Sequence, residues 1–287
     1  MFLPQANTIL DLKKLFQDAL NDLYPKKEIQ SIFRILLEDE FEVMPLDQQL
    51  NERRFTESEL NRVDAALNRL VDGEPLQYVL GQTEFYGLKF NVNEAVLIPR
   101  PETEELVKMV IDENLENDLS FLDVGTGSGC IPISIHACRA SWNVQAIDVS
   151  DAALVVAKEN NSLNKTNVHF KLNDLFSEET VFQDLDIIVC NPPYIGKEEA
   201  SEIHKNVLVF EPHLALFPEN PDPLIFYKVL SEKAAVWLKP EGKLYFELNE
   251  KYANLVSEVM QKNGFQNIEI VQDMQGKDRF AKGVLKK

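Results

Sequence analysis

The chain is poor in cysteine, in basic residues and in long apolar runs, and each shortage excludes a class of function. Its three cysteines, Cys130, Cys138 and Cys190, include no Cys-x-x-Cys pair, so neither a disulfide framework nor a thiolate cage is expected. Four scattered histidines make no HxxxH pair and no His/Cys cluster, which argues against a structural or catalytic metal. Lys and Arg total 29 against 47 Asp and Glu, a formal net charge of -18. Affinity for a polyphosphate comes largely from neutralisation by Lys and Arg, so direct nucleic-acid binding is not expected. A small molecule or a basic protein suits this surface better. No apolar run approaches the roughly 20 residues of a membrane span. Met1 to Leu20 carries Asp11, Lys13, Lys14 and Asp18 where a signal peptide would be uninterrupted, so the expected location is cytoplasmic.

What remains is enough apolar material, 45% of the residues, to build a sizeable core, and a length that accommodates two ordinary domains. Residues 1–75 read as a helical bundle. Ile9, Leu12, Leu15, Phe16 and Leu20 recur at three- and four-residue steps, as do Ile29, Ile32, Phe33, Leu36 and Leu37 behind a first-turn Pro25. Thr56-Glu57-Ser58-Glu59 has the pattern of a capping box and opens a helix with Leu60, Val63, Leu67 and Leu70 inward, stopped by Gly73 and Pro75. Residues 76–100 read as a linking hairpin, because from Glu84 to Ile98 the apolar residues Phe85, Leu88, Phe90, Val92, Val96 and Ile98 follow an alternating trend. Residues 101–287 alternate helix and strand. After a helix over Glu102–Asn114, the strand candidates are Phe121–Val124, Val144–Val149, Val168–Leu172, Ile187–Cys190 and Leu244–Leu248. That alternation predicts a doubly wound, Rossmann-like α/β sheet, mostly parallel. Ile268–Val271 and Phe280–Leu285 have no helix between them and predict an antiparallel C-terminal edge.

Two turns carry chemistry. Asp123-Val124-Gly125-Thr126-Gly127-Ser128-Gly129 closes one strand and opens a helix, where glycines admit a ligand to the backbone and helix amides point at it. The third glycine comes one residue too early for the dinucleotide fingerprint, and no GK[ST] follows, which excludes a P-loop. The compact spacing, with an acid two residues ahead, leans toward an adenosylmethionine site. Asp148 ends the next strand, about 20 residues on, where an acid meets ribose hydroxyls in nicotinamide enzymes as well. Asp174 could accept from an adenine amino group. The second turn, Asn191-Pro192-Pro193-Tyr194, follows a buried run at the carboxyl end of a strand, where open sheets place ligands. Two prolines stiffen it and project carbonyl acceptors, Asn191 adds an amide oxygen and Tyr194 a flat face. These parts suit methylation of an amide or exocyclic amine nitrogen, whose delocalised lone pair needs orientation more than a strong base.

Together with Ile98-Pro99-Arg100-Pro101-Glu102-Thr103-Glu104 and Glu211-Pro212-His213-Leu214-Ala215-Leu216-Phe217, these turns resemble the peptide chain release factor glutamine N5-methyltransferases along essentially the whole chain. The resemblance implies a class I methyltransferase domain using S-adenosylmethionine. Its implied target is the glutamine of a Gly-Gly-Gln tripeptide in class I release factors, with the N-terminal helices helping to dock that protein to a monomeric enzyme. Carried over residue by residue, Gly125, Thr126, Gly127, Ser128, Gly129, Asp148, Asp174, Leu175 and Asn191 would contact the cofactor. Asn191, Pro192, Pro193 and Tyr194 would hold the glutamine, with Asn191, Pro192 and Tyr194 catalytic. Leu175 stands where some relatives place an aromatic, and Pro218–Pro223 replaces the paired glycines of many relatives. Ribosomal-protein glutamine methyltransferases and nucleic-acid amino-methyltransferases share the Asn-Pro-Pro-Tyr turn and are the alternatives. A degenerate, non-catalytic translation-factor binder is a third.

Overall fold

A computed structural model of the chain describes residues 7–50, 52–178, 182–196, 199, 204–218 and 220–286, so Glu219 of the Pro218–Pro223 segment lies outside the described residues. The chain divides into two compact units, Met1–Gln82 and Thr83–Lys287.

The first unit contains helices α1 (Ile9–Leu20), α2 (Lys26–Phe41), α3 (Pro45–Leu50), α4 (Glu57–Val71) and α5 (Leu76–Leu80). Its core is made by the stripes expected from periodicity: Ile9, Leu12, Phe16 and Leu20 on α1, Ile29 through Leu37 on α2, and Val63, Leu67 and Leu70 on α4. The capping box at Thr56 forms, with the Thr56 hydroxyl accepting from the Glu59 amide at 3.3 Å and the Glu59 carboxylate from the Thr56 amide at 2.8 Å. Pro25 stands at the N-cap, one residue ahead of the first turn in which it was expected. No described helix in either unit is long and apolar enough to cross a membrane.

The second unit opens with a hairpin of β1 (Gln82–Phe85, its first residue shared with the preceding unit) and β2 (Leu88–Asn91). Tyr86 and Gly87, with φ of 52° and 72°, make the two-residue loop that matches strand twist. The alternation expected to run as strand to Ile98 stops at Asn91. The Asn93 side chain accepts from the Ala95 amide at 3.0 Å and its carbonyl accepts from Val96 at 3.1 Å, forming a turn. Val92, Val96 and Ile98 are buried from this loop, so their burial imitates the strand period without a strand.

The remaining elements are α6 (Pro101–Glu113), β3 (Ser120–Val124), α7 (Cys130–Cys138), β4 (Asn143–Asp148), α8 (Asp151–Leu163), β5 (His169–Leu172), β6 (Leu185–Cys190), α9 (Lys205–Phe210), α10 (His213–Leu216), α11 (Ile225–Trp237), β7 (Leu238–Glu247), α12 (Ala253–Lys262), β8 (Phe265–Gln272) and β9 (Asp278–Leu285). The seven strands order as β5-β4-β3-β6-β7-β9-β8. Pairing is parallel from β5 to β7 and antiparallel at β7–β9 and β8–β9, as expected for the C-terminal edge. Alternate residues feed two cores. Leu122, Val124, Ile188, Cys190, Leu244 and Phe246 pack with α11 and α12, while Phe121, Ile187, Val189 and Tyr245 pack with α6, α7 and the hairpin.

The chain runs from β3 outward to β5, then returns to β6 on the other side of β3, which makes the β3–β6 boundary the switch point of the sheet. Val124 pairs with Cys190, Val124 also with Ile147, and Cys190 with Phe246. Gly125, Asp148, Asn191 and Glu247 are the next residues along these four strands, so they reach the carboxyl edge at one level.

Asn160, wholly buried on α8, ties this edge to the hairpin. Its amide nitrogen donates to the Ser128 carbonyl at 2.9 Å and the Asn91 carbonyl at 3.0 Å, and its oxygen accepts from the Asn91 amide at 2.6 Å. Asn160→Ala should lower unfolding free energy by on the order of 1–3 kcal/mol, since it strands partly or fully buried backbone groups. Urea unfolding followed by fluorescence should show a lower midpoint at an unchanged slope; an unchanged midpoint would remove Asn160 from this role.

Candidate active site

The glycine turn after β3 is built by backbone geometry. Gly125, Gly127 and Gly129 all have positive φ (78°, 53° and 80°), which only glycine adopts without strain. At Gly129 space is also decisive, because an added Cβ would lie 2.9 Å from Ile133 Cδ1 and 3.2 Å from Ala157 Cβ, whereas at Gly125 and Gly127 it would meet nothing within 4 Å. The glycines therefore serve α7–α8 packing at one end and keep the cavity floor bare at the other. The amides of Gly125 and Thr126 both donate to the Ile147 carbonyl, at 2.9 and 3.1 Å, so these two hold the turn to β4. No side chain caps α7 at Gly129, and Ser128, Cys130 and Ile131 at its start line the cavity.

Asp148 is nearly buried and accepts from the Gly127 amide at 2.8 Å through one oxygen and from Ser150 at 2.9 Å through the other. Burial raises its pKa, and the amides of Ser150, Gly127 and Val149 pull it back. Each oxygen keeps a lone pair for a further donor. Asp174 is exposed and accepts from the Phe176 amide at 2.8 Å in a local turn, while Leu175 beside it is buried. Asp123 is wholly buried beneath the turn. Among the described residues no hydrogen bond of ordinary geometry reaches either of its oxygens. Burial pushes the Asp123 carboxyl up to about 7, the Thr126 hydroxyl offsets part of that, and the Asp148 carboxylate adds to it.

On the other side of the switch point, Asn191 through Tyr194 leave β6 as an irregular segment with Pro192 buried. The Asn191 amide nitrogen lies 3.3 Å from Thr103 Oγ1, the Thr103 hydroxyl donates to Glu247 Oε2 at 2.7 Å, and the Tyr194 hydroxyl donates to Glu247 Oε1 at 3.2 Å. Burial and the Glu247 carboxylate push the Tyr194 phenol far above its ordinary range, so it stays protonated and is a donor, not a base. The Ile195 amide donates to the Leu216 carbonyl at 3.1 Å, fixing α10 against this turn. Arg100 pairs with buried Glu211 at 2.6 Å, and Glu211 also accepts from the Ile98 amide at 3.2 Å.

Both turns open into one cavity of about 820 Å³. Gly125–Ser128, Asp148, Asp174 and Leu175 line one end, and Asn191, Pro192 and Pro193 the other, with Pro212, Leu214 and Phe217 over it. That volume lies in the range that accommodates a nucleoside-sized molecule with room for a second group. The bare glycine floor and the acids around it fit a ligand bearing ribose hydroxyls and positive charge.

The PrmC N-terminal domain profile matches residues 12–81, and the Methyltransferase small domain profile matches residues 103–214. A release factor glutamine methyltransferase of Flavobacterium psychrophilum is 43% identical over 279 residues, 96% of this chain and 98% of its own length. The chain belongs to the release factor glutamine methyltransferase family. The protein of that name from Bacteroides thetaiotaomicron is 38% identical over 92% of this chain and 95% of its own. A crystallised methyltransferase from Pyrococcus furiosus shares the fold, with a TM-score of 0.53 at 18% identity over 81% of this chain and 100% of that one.

Within this family member, most of the residues singled out in sequence line the one cavity; Gly129 and Tyr194 are not among its lining residues. Thr103, Glu211 and Arg100 sit in segments recognisable as motifs, and Arg100 and Glu211 pair with one another, but the pairings themselves, such as that of Thr103 with Glu247 144 residues away, carry no sequence signal. Glu247 and Asn160 were not foreseen at all; the only available hint was an acid ending an apolar strand.

The buried Asp123 carboxyl makes stability depend on pH. An aspartate in the unfolded chain ionises near 3.8, whereas Asp123 in the fold keeps its proton to about 7. Between these values the folded state binds the extra proton, so this group lowers stability as pH rises through the window, by on the order of a few kcal/mol. Asp123→Asn should therefore gain stability relative to the wild type between pH 5 and pH 8 in parallel urea titrations; a pH-independent difference would contradict the buried, proton-holding carboxyl.

Proposed function

We propose that this chain transfers a methyl group from S-adenosylmethionine to the side-chain amide nitrogen of the glutamine in the Gly-Gly-Gln tripeptide of class I release factors. The observation that carries this reading is the convergence of the glycine turn with Asp148 and the Asn191–Tyr194 turn on one cavity, in a chain whose named relatives match it almost end to end. When bound, S-adenosylmethionine supplies an electrophilic methyl group on a sulfonium.

The protein's own residues do the rest. Gly125 and Gly127 leave the floor under the cofactor free of side chains at their positions, and Asp148 accepts from the ribose hydroxyls with the lone pairs its backbone donors leave. Asp174 and Leu175 flank the adenine, the contact at Leu175 being apolar. Asn191 Oδ1 and the Pro192 carbonyl accept the two N–H bonds of the target amide, Pro193 lines the wall, and Tyr194, tied to Glu247, braces the turn. An amide nitrogen is a poor nucleophile, so holding it in line with the methyl carbon is the main contribution to rate. Transfer would break the S–CH3 bond and release the neutral thioether as the N–C bond forms in place of one N–H, and the proton leaves to solvent; Tyr194, kept protonated, does not take it. Asp148 and Asp174, the acids that line the cavity, favour a cationic donor over a neutral product.

One glutamine offers too little surface to be chosen among all the glutamines of a proteome. The first unit, an amphipathic helical body without catalytic residues, supplies the second contact with the release factor. Action on a protein and not on nucleic acid is supported by the net charge of -18 and by the relatives' names, and we read the enzyme as a cytoplasmic monomer.

Incubation with labelled adenosylmethionine and purified release factor, ribosomal proteins and DNA in parallel tests this reading. Label should enter release factor once, vanish when the Gly-Gly-Gln glutamine is changed to alanine, and fall about 10²-fold in rate with Asn191→Ala. Equal labelling of the alanine variant, or a better acceptor among the others, would overturn the substrate assignment.

A further inference from the structure

We propose that Glu247, acting through Thr103, sets the direction of the Asn191 side-chain amide so that its oxygen, and not its nitrogen, faces the substrate. Glu247 ends β7 and is 2% exposed, Thr103 lies in the first turn of α6 at 3%, and the two meet at 2.7 Å. A carboxylate only accepts, so the Thr103 hydroxyl gives Glu247 its single proton and is left with lone pairs alone. The group 3.3 Å from that hydroxyl is the Asn191 amide. With its nitrogen turned inward the amide donates to Thr103; turned the other way, its oxygen would face an oxygen that has no proton to give. Carbonyl oxygen and amide nitrogen have nearly the same shape, so packing cannot choose between these states. The hydroxyl chain can.

The same carboxylate holds the other end of the turn, where its second oxygen accepts from the Tyr194 hydroxyl at 3.2 Å. One buried acid thus anchors both Asn191 and Tyr194. Burial raises the pKa of Glu247, and the hydrogen bonds from Thr103 and Tyr194 and the charge of Arg279 offset part of that rise; the carboxyl oxygens accept from both hydroxyls. Glu247 and Thr103 are positioning residues: neither needs to touch the glutamine. The inference rests on the reading that Asn191 receives the target N–H.

Thr103 allows shape and hydrogen bonding to be separated. Thr103→Val keeps the shape and loses the hydroxyl, while Thr103→Ser loses a methyl and keeps it. With a release factor acceptor, Thr103→Val should lower kcat about 10²-fold with KM for the acceptor and Kd for adenosylmethionine unchanged within error. Thr103→Ser should recover most of that loss, and Glu247→Gln, which can donate as well as accept, should fall between them. A packing role gives the opposite order, with serine worse than valine. That order, or a Thr103→Val enzyme of normal kcat, would overturn the proposal.

A second arm uses the wild-type protein and survives misfolded variants. In protein labelled at asparagine amides and threonine methyls, the Nδ2 protons of Asn191 should show strong nuclear Overhauser contacts to the Thr103 methyl. Weak or absent contacts from assigned signals overturn the relay. If the wild type methylates no Gly-Gly-Gln acceptor, the functional reading fails by itself, and the Overhauser measurement still decides the orientation of Asn191.

Discussion

Everything chemical in this molecule depends on the parallel pairing of β3 with β6, and on its register. Phe121 through Val124 lie beside Ile187 through Cys190, residue by residue, in the middle of a seven-stranded sheet. Both strands are buried on both faces, and Leu122, Val124, Ile188 and Cys190 enter one core while Phe121, Ile187 and Val189 enter the other. A slip of one residue would turn each of these sets toward the wrong core, so the register is held by burial on two sides at once. The consequence is that a turn made of glycines and a turn made of prolines leave the sheet next to each other and at the same height. The first is bare and yielding to a ligand; the second is stiff and projects acceptors. Neither has a use for the other's composition, and the switch point brings them to one cavity.

The charge distribution follows from the same placement. Asp123, Asp148 and Glu247 come to the carboxyl edge on three different strands, and all three are more than nine-tenths hidden from solvent. Arg100 is the one cationic side chain among the described residues lining the cavity, and it is paired with Glu211. Burial raises the proton affinity of all three, and the Asp148 carboxylate adds to that of Asp123, a cost to the fold that makes sense where a cationic ligand is to be received. An overall charge of -18 disfavours a polyphosphate ligand, and the acids lining the cavity suit a sulfonium.

How far the sequence carried depended on whether a feature was local. The helical stripes of α1, α2 and α4, the capping box at Thr56, the parallel strands and the antiparallel edge are written in spacings of two to four residues, and the sheet and helices form as those spacings imply. Asp123, Gly125–Gly129, Asp148 and Asn191–Tyr194 stand at strand ends, where a position in the pattern carries chemical meaning. The misreading of Val92, Val96 and Ile98 as strand has the same origin, because alternating burial is also produced by a loop that dips toward a core around Asn93. What stayed invisible is non-local. Thr103 and Glu247 are 144 residues apart, Asn160 and Asn91 are 69 apart, and each pair exists because two elements distant in sequence pack on a common strand edge or hairpin.

The central claim is that the two turns present their ligands to one another across the switch point, in line for transfer. A bisubstrate compound tests it directly: adenosylhomocysteine whose sulfur is replaced by nitrogen and joined through one methylene to the amide nitrogen of a glutamine within a Gly-Gly-Gln peptide. If the sites are aligned, joining the two halves turns the second binding event into an intramolecular one, and calorimetry should show affinity about 10²-fold or more above that of either half. A linked compound that binds no better than its nucleoside half would contradict the shared, aligned cavity.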